Sequence, residues 1–533
     1  MRTLLHFFTA GLVLALAACA NLEPTGPARD KTYAITILHT NDHHGRFWQN
    51  SDGEYGMAAR KTVVDGIRAE VAASGGYSLL LDGGDVNTGV PESDLQDAVP
   101  DFKGMNLLGY DAMAVGNHEF DKSPAVLAMQ RKLATFPMLS ANIYRGGERI
   151  FAPYKLFNLG GVRIAVMGLT TEDTQKLGNP DNMRALEFRS PIQEAAKLVP
   201  ELRARADVVI AATHMGHYAN GQHGIQAPGD VEMARAVTGL DLVVGGHTQN
   251  PACMKAENVL DSTYVPGTPC QPDRQNGTWI VQAHEWGKYV GRADFQYRNG
   301  AFTLVKYALI PINLKQTAPF AEDPQMLALL QPYQAFGQSK LLVNVGSSDA
   351  RLEGDRSVVR KAPTSLGMLI GQAMMDKTRS DFAVVNAGGI RDSLPAGAIT
   401  YKDILKVQPF GNTLVTLRLT GREVLDYLQV AARMSPGAGG FPHFSGVEVR
   451  MASGAIAEVR VRGATLDPAG TYQMVINNFM AVGGDGYPVM TAHAGYVDTG
   501  FVDADVLRSF IAAHSPLQAS RFATGQPAIG APR

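Results

Sequence analysis

The sequence predicts an α/β fold that is divided into two domains, and three observations support this prediction. Four apolar runs rich in β-branched residues are typical of buried strands, and amphipathic stretches alternate with them as helices do in layered α/β domains. The chain of 533 residues is also too long for a single hydrophobic core. The predicted strands are residues 34–38, 78–81, 207–211 and 241–244, and the predicted helices include 58–73, 125–133 and 191–206.

Breaks in the pattern divide the chain into five parts. Arg2 precedes an apolar run that is too short to span a bilayer and has the form of a secretory signal. A Pro-containing segment after residue 315 interrupts the alternation of strands and helices and is followed by a predicted helix over 326–336. The predicted parts are a signal peptide (1–18), a tether (19–31), a first domain (32–313), a connector (314–340) and a second domain (341–533).

Composition excludes one class of partner. Hydrophobic residues make up 45% and charged residues 18% of the chain, as in ordinary soluble globular proteins, and the net charge is -2. There is no basic surplus of the kind that nucleic-acid binding requires. We therefore expect no nucleic-acid partner, and other partners must be inferred from sites.

Metal-ligand chemistry follows the predicted strands of the first half. A lone fragment of this kind is more often a turn or a core histidine, but ligands at several strand ends converge on one place. The five stretches are Asn41-Asp42-His43-His44, Gly83-Gly84-Asp85, Gly116-Asn117-His118-Glu119, Thr213-His214 and Gly245-Gly246-His247-Thr248-Gln249.

Carboxylate, imidazole and amide groups together suit borderline divalent ions, and there are too many of them for one ion. The sequence therefore predicts two metals, drawn from zinc, manganese and cobalt, in a catalytic site that leaves room for water. Asp42, His44 and Gln249 are assigned to one ion, Asn117, His214 and His247 to the other, and Asp85 is expected to bridge them.

Longer motifs connect the chain with a known family. Gly116-Asn-His-Glu-Phe-Asp121 with a later Gly-Gly-His-Thr-Gln249 resembles the calcineurin-like metallophosphoesterases, in the form found in the 5'-nucleotidase branch. Segments 89–97, 283–295 and 407–412 are similar to the bacterial periplasmic UDP-sugar hydrolases and 5'-nucleotidases of that branch. The likeness extends from about residue 33 to the C-terminus. Gln249 stands where many metallophosphoesterases carry a second histidine.

The resemblance implies a fold and an activity. The fold would be a four-layer first domain, with two mixed sheets between helices, and an α+β 5'-nucleotidase substrate-binding domain. The activity would be hydrolysis of extracytoplasmic 5'-nucleotides to nucleoside and phosphate, and of UDP-sugars to UMP and sugar 1-phosphate, for nucleotide salvage. The protein would act as a monomer, with His118 and Asp121 as its catalytic dyad.

The resemblance also assigns a substrate site to the second domain. Guanidinium groups match phosphate oxygens in a bidentate way, and two aromatic rings can stack a base without reading its edge. The implied anion-binding residues are Arg356, Arg360 and Arg391, the stacking residues are Phe410 and Phe479, Asp485 would accept from the ribose hydroxyls, and Asn412 and Gly439 would line the base.

Two other functions stay open at this point. A 2',3'-cyclic nucleotide phosphodiesterase/3'-nucleotidase would share the metal motifs but differ in the nucleoside clamp. A lipoprotein that binds nucleotides for uptake would have lost the catalytic residues, whereas every metal and dyad position is filled here.

The three cysteines indicate a cellular location. Leu16-Ala17-Ala18-Cys19 resembles a lipobox, which predicts acylation of Cys19 and a periplasmic lipoprotein; Ala20 then favours the outer membrane, with the lipid as its only attachment. Ordinary signal-peptidase cleavage nearby is the alternative. Cys253 and Cys270 form an even pair, which in an oxidising compartment predicts a disulfide worth about 3 kcal/mol. Two free thiols are the alternative.

Overall fold

The structure is a computed structural model that describes residues 26–177, 180–218, 227–315 and 318–523. The predicted signal peptide, Cys19 and most of the tether lie outside these residues. The first part of the chain alternates strands and helices. Its strands are β1 (Tyr33–Thr40), β2 (Tyr77–Asp82), β3 (Ala112–Ala114), β4 (Met138–Leu139), β5 (Ile143–Arg145), β6 (Glu148–Arg149), β7 (Tyr154–Leu159), β8 (Val162–Thr170), β9 (Glu187–Phe188), β10 (Val208–His214), β11 (Leu242–Val244), β12 (Met254–Ala256), β13 (Val259–Leu260), β14 (Asp273–Gln275), β15 (Thr278–Val281), β16 (Tyr289–Arg298) and β17 (Ala301–Pro311).

The helices of this part include the three that the sequence predicts, with boundaries within one residue. Helix α7 begins where Ser190 caps it and Pro191 occupies its first turn, a position that tolerates proline because no hydrogen bond is lost there. The helices are α1 (Met57–Ala73), α2 (Pro91–Asp94), α3 (Val99–Leu108), α4 (Pro124–Leu133), α5 (Thr174–Leu177), α6 (Pro180–Met183), α7 (Pro191–Arg205) and α8 (Asp230–Ala236).

Two six-stranded mixed sheets form the centre of the first domain. The first has the order β17-β16-β1-β2-β3-β4, in which β1 to β4 are parallel and β16 and β17 are antiparallel to their neighbours. The second has the order β14-β15-β11-β10-β8-β7, with β8, β10, β11 and β15 parallel. All four predicted strands belong to these parallel groups, whose carboxyl ends lie at one edge of each sheet.

The sheets stack face to face between helices, which confirms the predicted four-layer arrangement. Ile35 and Ile37 of β1 pack against Val208 and Ile210 of β10 in the core between the sheets. Leu38 points the other way, into a core shared with α1 and α3, because successive side chains of a strand face opposite sides. A third core covers the outer face of the second sheet with α7 and α8.

A long helix connects the two domains. Helix α9 (Pro324–Leu341) extends beyond the predicted 326–336 at both ends. Its start is fixed by Asp323, whose side chain accepts a hydrogen bond from Met326 N at 2.8 Å, and by Pro324 in the first turn. Gly337 does not end the helix, because it packs against Glu92 of α2, where a Cβ would lie 2.6 Å from the Glu92 side chain.

The second domain is α+β, as predicted. Its main sheet has the order β22-β19-β26-β21-β27 and is antiparallel except for the β19–β26 pair. Its strands are β18 (Asn344–Ser348), β19 (Phe382–Asn386), β20 (Gly397–Thr400), β21 (Thr413–Thr420), β22 (Pro442–Ser445), β23 (Val447–Ala452), β24 (Ala455–Val461), β25 (Ala464–Thr465), β26 (Thr471–Asn477) and β27 (Tyr496–Val502), and its helices are α10 (Arg356–Val359), α11 (Ser365–Thr378), α12 (Tyr401–Val407), α13 (Gly421–Ala431), α14 (Asn478–Ala481) and α15 (Asp503–His514).

Contacts between the domains position the cleft that separates them. Lys402 of α12 forms an ion pair with Glu92 of α2, which is almost fully buried. The connecting helix is also fixed to the first domain, since Gln96 donates to the backbone oxygen of Tyr333 on α9 at 3.0 Å. Among the described residues, no helix combines the length and apolar character needed to cross a membrane.

Candidate active site

The five polar stretches meet at the carboxyl ends of the parallel strands. Asp42 and His44 follow β1, Asp85 follows β2, and Asn117 and His118 follow β3 of the first sheet. From the second sheet, His214 is the last residue of β10, and His247 and Gln249 follow β11. The loops beyond the carboxyl ends of parallel strands are the usual ligand site of α/β sheets.

The predicted ligands form two groups that share Asp85. In one group, His44 Nε2 lies 3.8 Å from Asp42 Oδ1, 3.8 Å from Asp85 Oδ2 and 2.7 Å from Gln249 Nε2. In the other, His214 Nε2 lies 2.9 Å from Asp85 Oδ2 and 3.1 Å from Asn117 Oδ1.

His247 completes the second group. Its Nδ1 lies 2.9 Å from Asn117 Oδ1 and 3.2 Å from His214 Nε2. The structure thus brings all seven predicted metal residues together in the predicted division, with Asp85 between the two groups.

The hydrogen bonds around the groups fit divalent cations. His44 Nδ1 lies 2.7 Å from Thr88 O and His214 Nδ1 lies 2.7 Å from Gly83 O, so each ring donates from Nδ1 and points Nε2, the atom that can bind a metal, inward. Asp42 Oδ1 is buried and has no hydrogen-bond partner among the described residues, so it lacks the partner that a buried carboxylate oxygen needs. Inward-facing Nε2 atoms and an unpaired carboxylate oxygen are the pattern of a metal site.

The electrostatics of the cluster also favour cations. Burial lowers the pKa of His214, but Asp85 and Asp42 outweigh that effect and raise it to about 10. Burial raises the pKa of Asp85, and the positive charges of His214 and His118 lower it well below its usual range. The negative potential that attracts protons to the imidazole also attracts divalent cations.

His118 and Asp121 lie beside the ligand groups. His118 Nδ1 is 2.6 Å from Asp121 Oδ2, which also accepts from Thr88 Oγ1 at 2.7 Å, and His118 Nε2 is 4.0 Å from Asp85 Oδ2. Burial lowers the pKa of His118, but the charges of Asp121 and Asp85 outweigh burial and raise it to about 9. Asp121 thus fixes the orientation of the ring and leaves Nε2 facing the metal cluster.

Glu119 has a structural role that the sequence analysis did not identify. Its buried carboxylate accepts from Gly116 N at 2.7 Å, from Val86 N at 2.8 Å and from Asp85 N at 3.1 Å. It therefore ties the loop after β2 to the loop after β3 and holds Asp85 in place. In the sequence, its position in the Gly-Asn-His-Glu motif was the signal that could have indicated a role for this residue.

Three other histidines have structural partners. His43 Nε2 lies 2.9 Å from Asp101 Oδ1, and His217 Nε2 lies 2.8 Å from Asp273 Oδ2. The ring of His284 stacks on Tyr289, with 6.0 Å between the centroids. The sequence analysis assigns none of these three histidines to the site.

A cavity of about 570 Å³ connects the metal cluster with the second domain. We call it the first cavity, and its volume is within the roughly 300–1,000 Å³ of small-molecule sites. The first domain contributes metal-cluster residues, and the second domain contributes all eight residues assigned to substrate. These eight are Arg356, Arg360, Arg391, Phe410, Asn412, Gly439, Phe479 and Asp485.

The three arginines assigned to substrate bring positive charge to the first cavity, which Arg433 also lines. Burial, together with the charges of the other two arginines, lowers the pKa of Arg360 to about 9. Burial and Arg356 lower the pKa of Arg391 to about 10. Both stay protonated at neutral pH, and such a cluster of guanidinium groups suits a phosphate.

Aromatic rings and a carboxylate line the rest of the first cavity. The Phe410 ring is 5.8 Å from the His118 ring and 5.4 Å from the Arg391 guanidinium. Asp485 Oδ2 accepts from Asn386 Nδ2 at 2.8 Å, a contact that the sequence analysis missed because Asn386 lies far away in the chain. A Cβ at Gly439 would lie 2.8 Å from Asp485 Oδ1, so glycine allows the backbone at 439 to lie close to this carboxylate.

The predicted cysteine pair is joined in the structure. Cys253 and Cys270 form a disulfide with their Cα atoms 5.0 Å apart. Both are buried at the end of the core between the two sheets, and the bridge closes the loop that carries β12 and β13.

The fold and the two ligand groups define a metallophosphoesterase with a separate substrate-binding domain, and comparison with known families agrees. The model of the calcineurin-like phosphoesterases matches residues 35–251, and that of the 5'-nucleotidase C-terminal domain matches residues 344–492. The chain belongs to the 5'-nucleotidase family, which confirms the predicted resemblance.

Individual relatives match over nearly the full length. The chain is 56% identical to Protein UshA of Escherichia coli over 512 residues, which cover 92% of this chain and 93% of that protein. It is 52% identical to a 5'-nucleotidase of Vibrio cholerae, with 97% of each chain covered. The solved 5'-nucleotidase precursor of Thermus thermophilus is 32% identical, with a TM-score of 0.73 and coverage of 90% of this chain and 96% of that one.

Metal binding should stabilise the first domain through Asp85. Adding Mn²⁺ at 100 times its dissociation constant to chelator-treated protein should raise the free energy of unfolding by about 2.7 kcal/mol. Thermal unfolding with and without metal measures the gain. Asp85→Ala should lose it, whereas His493→Ala, in the second domain, should keep it. An equal gain in Asp85→Ala would contradict the shared-ligand position.

Proposed function

We propose that this protein is a dinuclear-metal 5'-nucleotidase that also hydrolyses UDP-sugars to UMP and sugar 1-phosphate. The observation that carries the proposal is the first cavity, in which arginines and aromatic rings of one domain face the metal ligands of the other. A phosphate at the ligand groups and a nucleoside at Phe410 and Phe479 fit one continuous space. Zinc, manganese and cobalt suit the imidazole, carboxylate and amide donors.

Each group of the cavity has a part in the proposed reaction. When bound, two divalent cations supply an activated water and neutralise phosphoryl charge. His118, held by Asp121, donates from Nε2 to an oxygen of the transferred phosphoryl group, where negative charge develops. The three arginines bind the phosphates. These residues therefore orient the phosphorus for in-line attack and stabilise the transition state.

The second domain supplies substrate recognition in this proposal. Phe410 and Phe479 stack on the two faces of the base, which favours no particular base edge. Asp485, held by Asn386, accepts hydrogen bonds from the ribose hydroxyls. Asn412 and Gly439 line the base.

A substrate panel tests the proposed function. With Mn²⁺ or Co²⁺ present, the purified protein should release phosphate from AMP and UMP from UDP-glucose, and a chelator should abolish both reactions because the nucleophile depends on metal. Phosphate release measures the first reaction, and chromatography of uridine nucleotides measures the second. Faster hydrolysis of 3'-AMP than of AMP would instead favour a 3'-nucleotidase, and nucleotide binding without turnover would favour a binding protein.

His118→Ala should lower kcat on AMP by roughly 10²–10⁴, the contribution typical of a positioned proton donor. Bound metal, measured by elemental analysis, should stay the same, because the proposed ligands remain. His493→Ala is the matched control and should keep the wild-type kcat. An unchanged kcat in metal-loaded His118→Ala would remove this residue from the mechanism.

We further propose that the protein acts outside the cytoplasm as an acylated lipoprotein. The support is the sequence Leu16-Ala17-Ala18-Cys19, which lies outside the residues that the structure describes. Several acyl chains would hold it firmly, since each buried methylene contributes about 0.8 kcal/mol. Cells expressing the full chain should incorporate labelled palmitate into it, and Cys19→Ser should abolish the label. Labelling that persists in Cys19→Ser would place the lipid elsewhere.

A further inference from the structure

A second cavity of about 720 Å³ adjoins the metal cluster between the two domains. The first cavity reaches the cluster at Asn117, His118 and His247, whereas the second reaches it at His44. Of the eight residues assigned to substrate, the three phosphate-binding arginines line both cavities, as Gln249 does, and the other five line the first cavity alone. A ligand that occupied both cavities would therefore pass the metal ligands and the arginines with its phosphates.

The walls of the second cavity combine aromatic rings with polar side chains. Of the three tryptophans in the chain, Trp48 and Trp286 line it, together with Tyr55 and the amide side chains of Gln49 and Gln334. Ring surface packs against the C–H groups of a pyranose, and amide and charged side chains exchange hydrogen bonds with its hydroxyls. Charged side chains, among them Glu285 and Asp392, also line the cavity, so the lining combines ring surface with hydroxyl partners, as a sugar requires.

The aromatic wall is fixed to the metal ligands. Trp286 N donates to Asp42 O at 2.7 Å, and two cations hold the Trp286 ring, with the Arg46 guanidinium 3.9 Å and Lys288 Nζ 4.1 Å from its centre. Arg46 in turn donates from NH1 to His44 O at 2.7 Å. A ring held in this way keeps a constant distance from the reacting phosphate.

The backbone of this wall is strained. Tyr55, Thr88 and Trp286 have φ values of 46°, 64° and 60°, in the left-handed region that side chains with a Cβ disfavour. Such conformations cost about 1–3 kcal/mol each and cluster at ligand sites. All three residues with this unfavourable backbone conformation line the second cavity.

We infer that the second cavity binds the sugar of a UDP-sugar while the first cavity binds its uridine. This inference rests on the proposed function. The sugar-bearing phosphorus then lies at the metal cluster and gains the oxygen of water, and its bond to the bridging oxygen breaks. UMP leaves through the first cavity with that oxygen, sugar 1-phosphate remains in the second, and the two hydrogens of the water are divided between the two phosphates.

The test compares UDP-glucose with UDP, which share uridine and both phosphates and differ only in the sugar. Trp48→Ala and Gln334→Ala, which change two residues of the second cavity that are not tied to the metal ligands, should each lower kcat/KM for UDP-glucose on the order of tenfold, which corresponds to about 1.4 kcal/mol. Values for UDP and AMP should stay within about twofold, which also shows that the variants fold. Trp279→Ala is the matched control, because Trp279 packs on the second sheet away from the cavity.

Each outcome has a separate meaning. An equal loss on UDP and UDP-glucose, or no loss on either, would overturn the sugar site and leave the nucleotidase proposal intact. Wild-type protein that hydrolyses AMP and UDP but not UDP-glucose would overturn both the proposed hydrolysis of UDP-sugars and the sugar site. Wild-type protein that is inactive on all three would overturn the proposed function itself.

Discussion

The active site depends on how closely the ends of the two sheets approach each other. A Cβ at Gly83 would lie 2.6 Å from Gly245 O, and a Cβ at Gly246 would lie 2.7 Å from Gly83 O. No side chain can occupy either position without moving one sheet away from the other. The Gly-Gly pairs that precede Asp85 and His247 are therefore what allows ligands from different sheets to come within about 3 Å, a hydrogen-bond distance.

The sequence predicts the metal cluster well because its signal is local. Each predicted ligand follows a recognisable strand, so a few adjacent residues determine where its side chain lies. The seven residues predicted to bind metal meet as expected. Glu119 was not identified, because its place in the Gly-Asn-His-Glu motif indicates a role but does not show whether the carboxylate accepts backbone hydrogen bonds or binds metal. The second cavity was not predicted either, since its walls come from segments as distant as Trp48, Trp286 and Gln334.

Helix α9 is longer than the sequence predicts. Glycine is common at helix ends, but Gly337 lies within this helix because it packs closely against Glu92.

The arginines proposed to bind the substrate are unfavourably placed without an anion. Burial lowers the pKa of Arg360 and of Arg391, and the charge of Arg356 lowers both further. No carboxylate of the described residues lies within ion-pair distance of any of them. Charged groups that are partly desolvated and repel one another are unfavourable without a counterion. A phosphate of the proposed substrate would supply that counterion, so the electrostatic cost in the free protein would become binding energy in the complex.

Gln249 joins the metal cluster, the arginines and both cavities, and its amide suits this position better than an imidazole. Its Oε1 accepts from Arg356 NH1 at 3.1 Å, and its Nε2 lies 2.7 Å from His44 Nε2. An amide oxygen has two lone pairs, so it can accept from a guanidinium and still ligate a cation. A histidine nitrogen has one lone pair and, once bound to metal, could offer Arg356 only a competing N–H donor. With Gln249 as the proposed ligand, an arginine of the second domain contacts a metal-binding residue directly, which would couple substrate recognition to the hydrolytic centre.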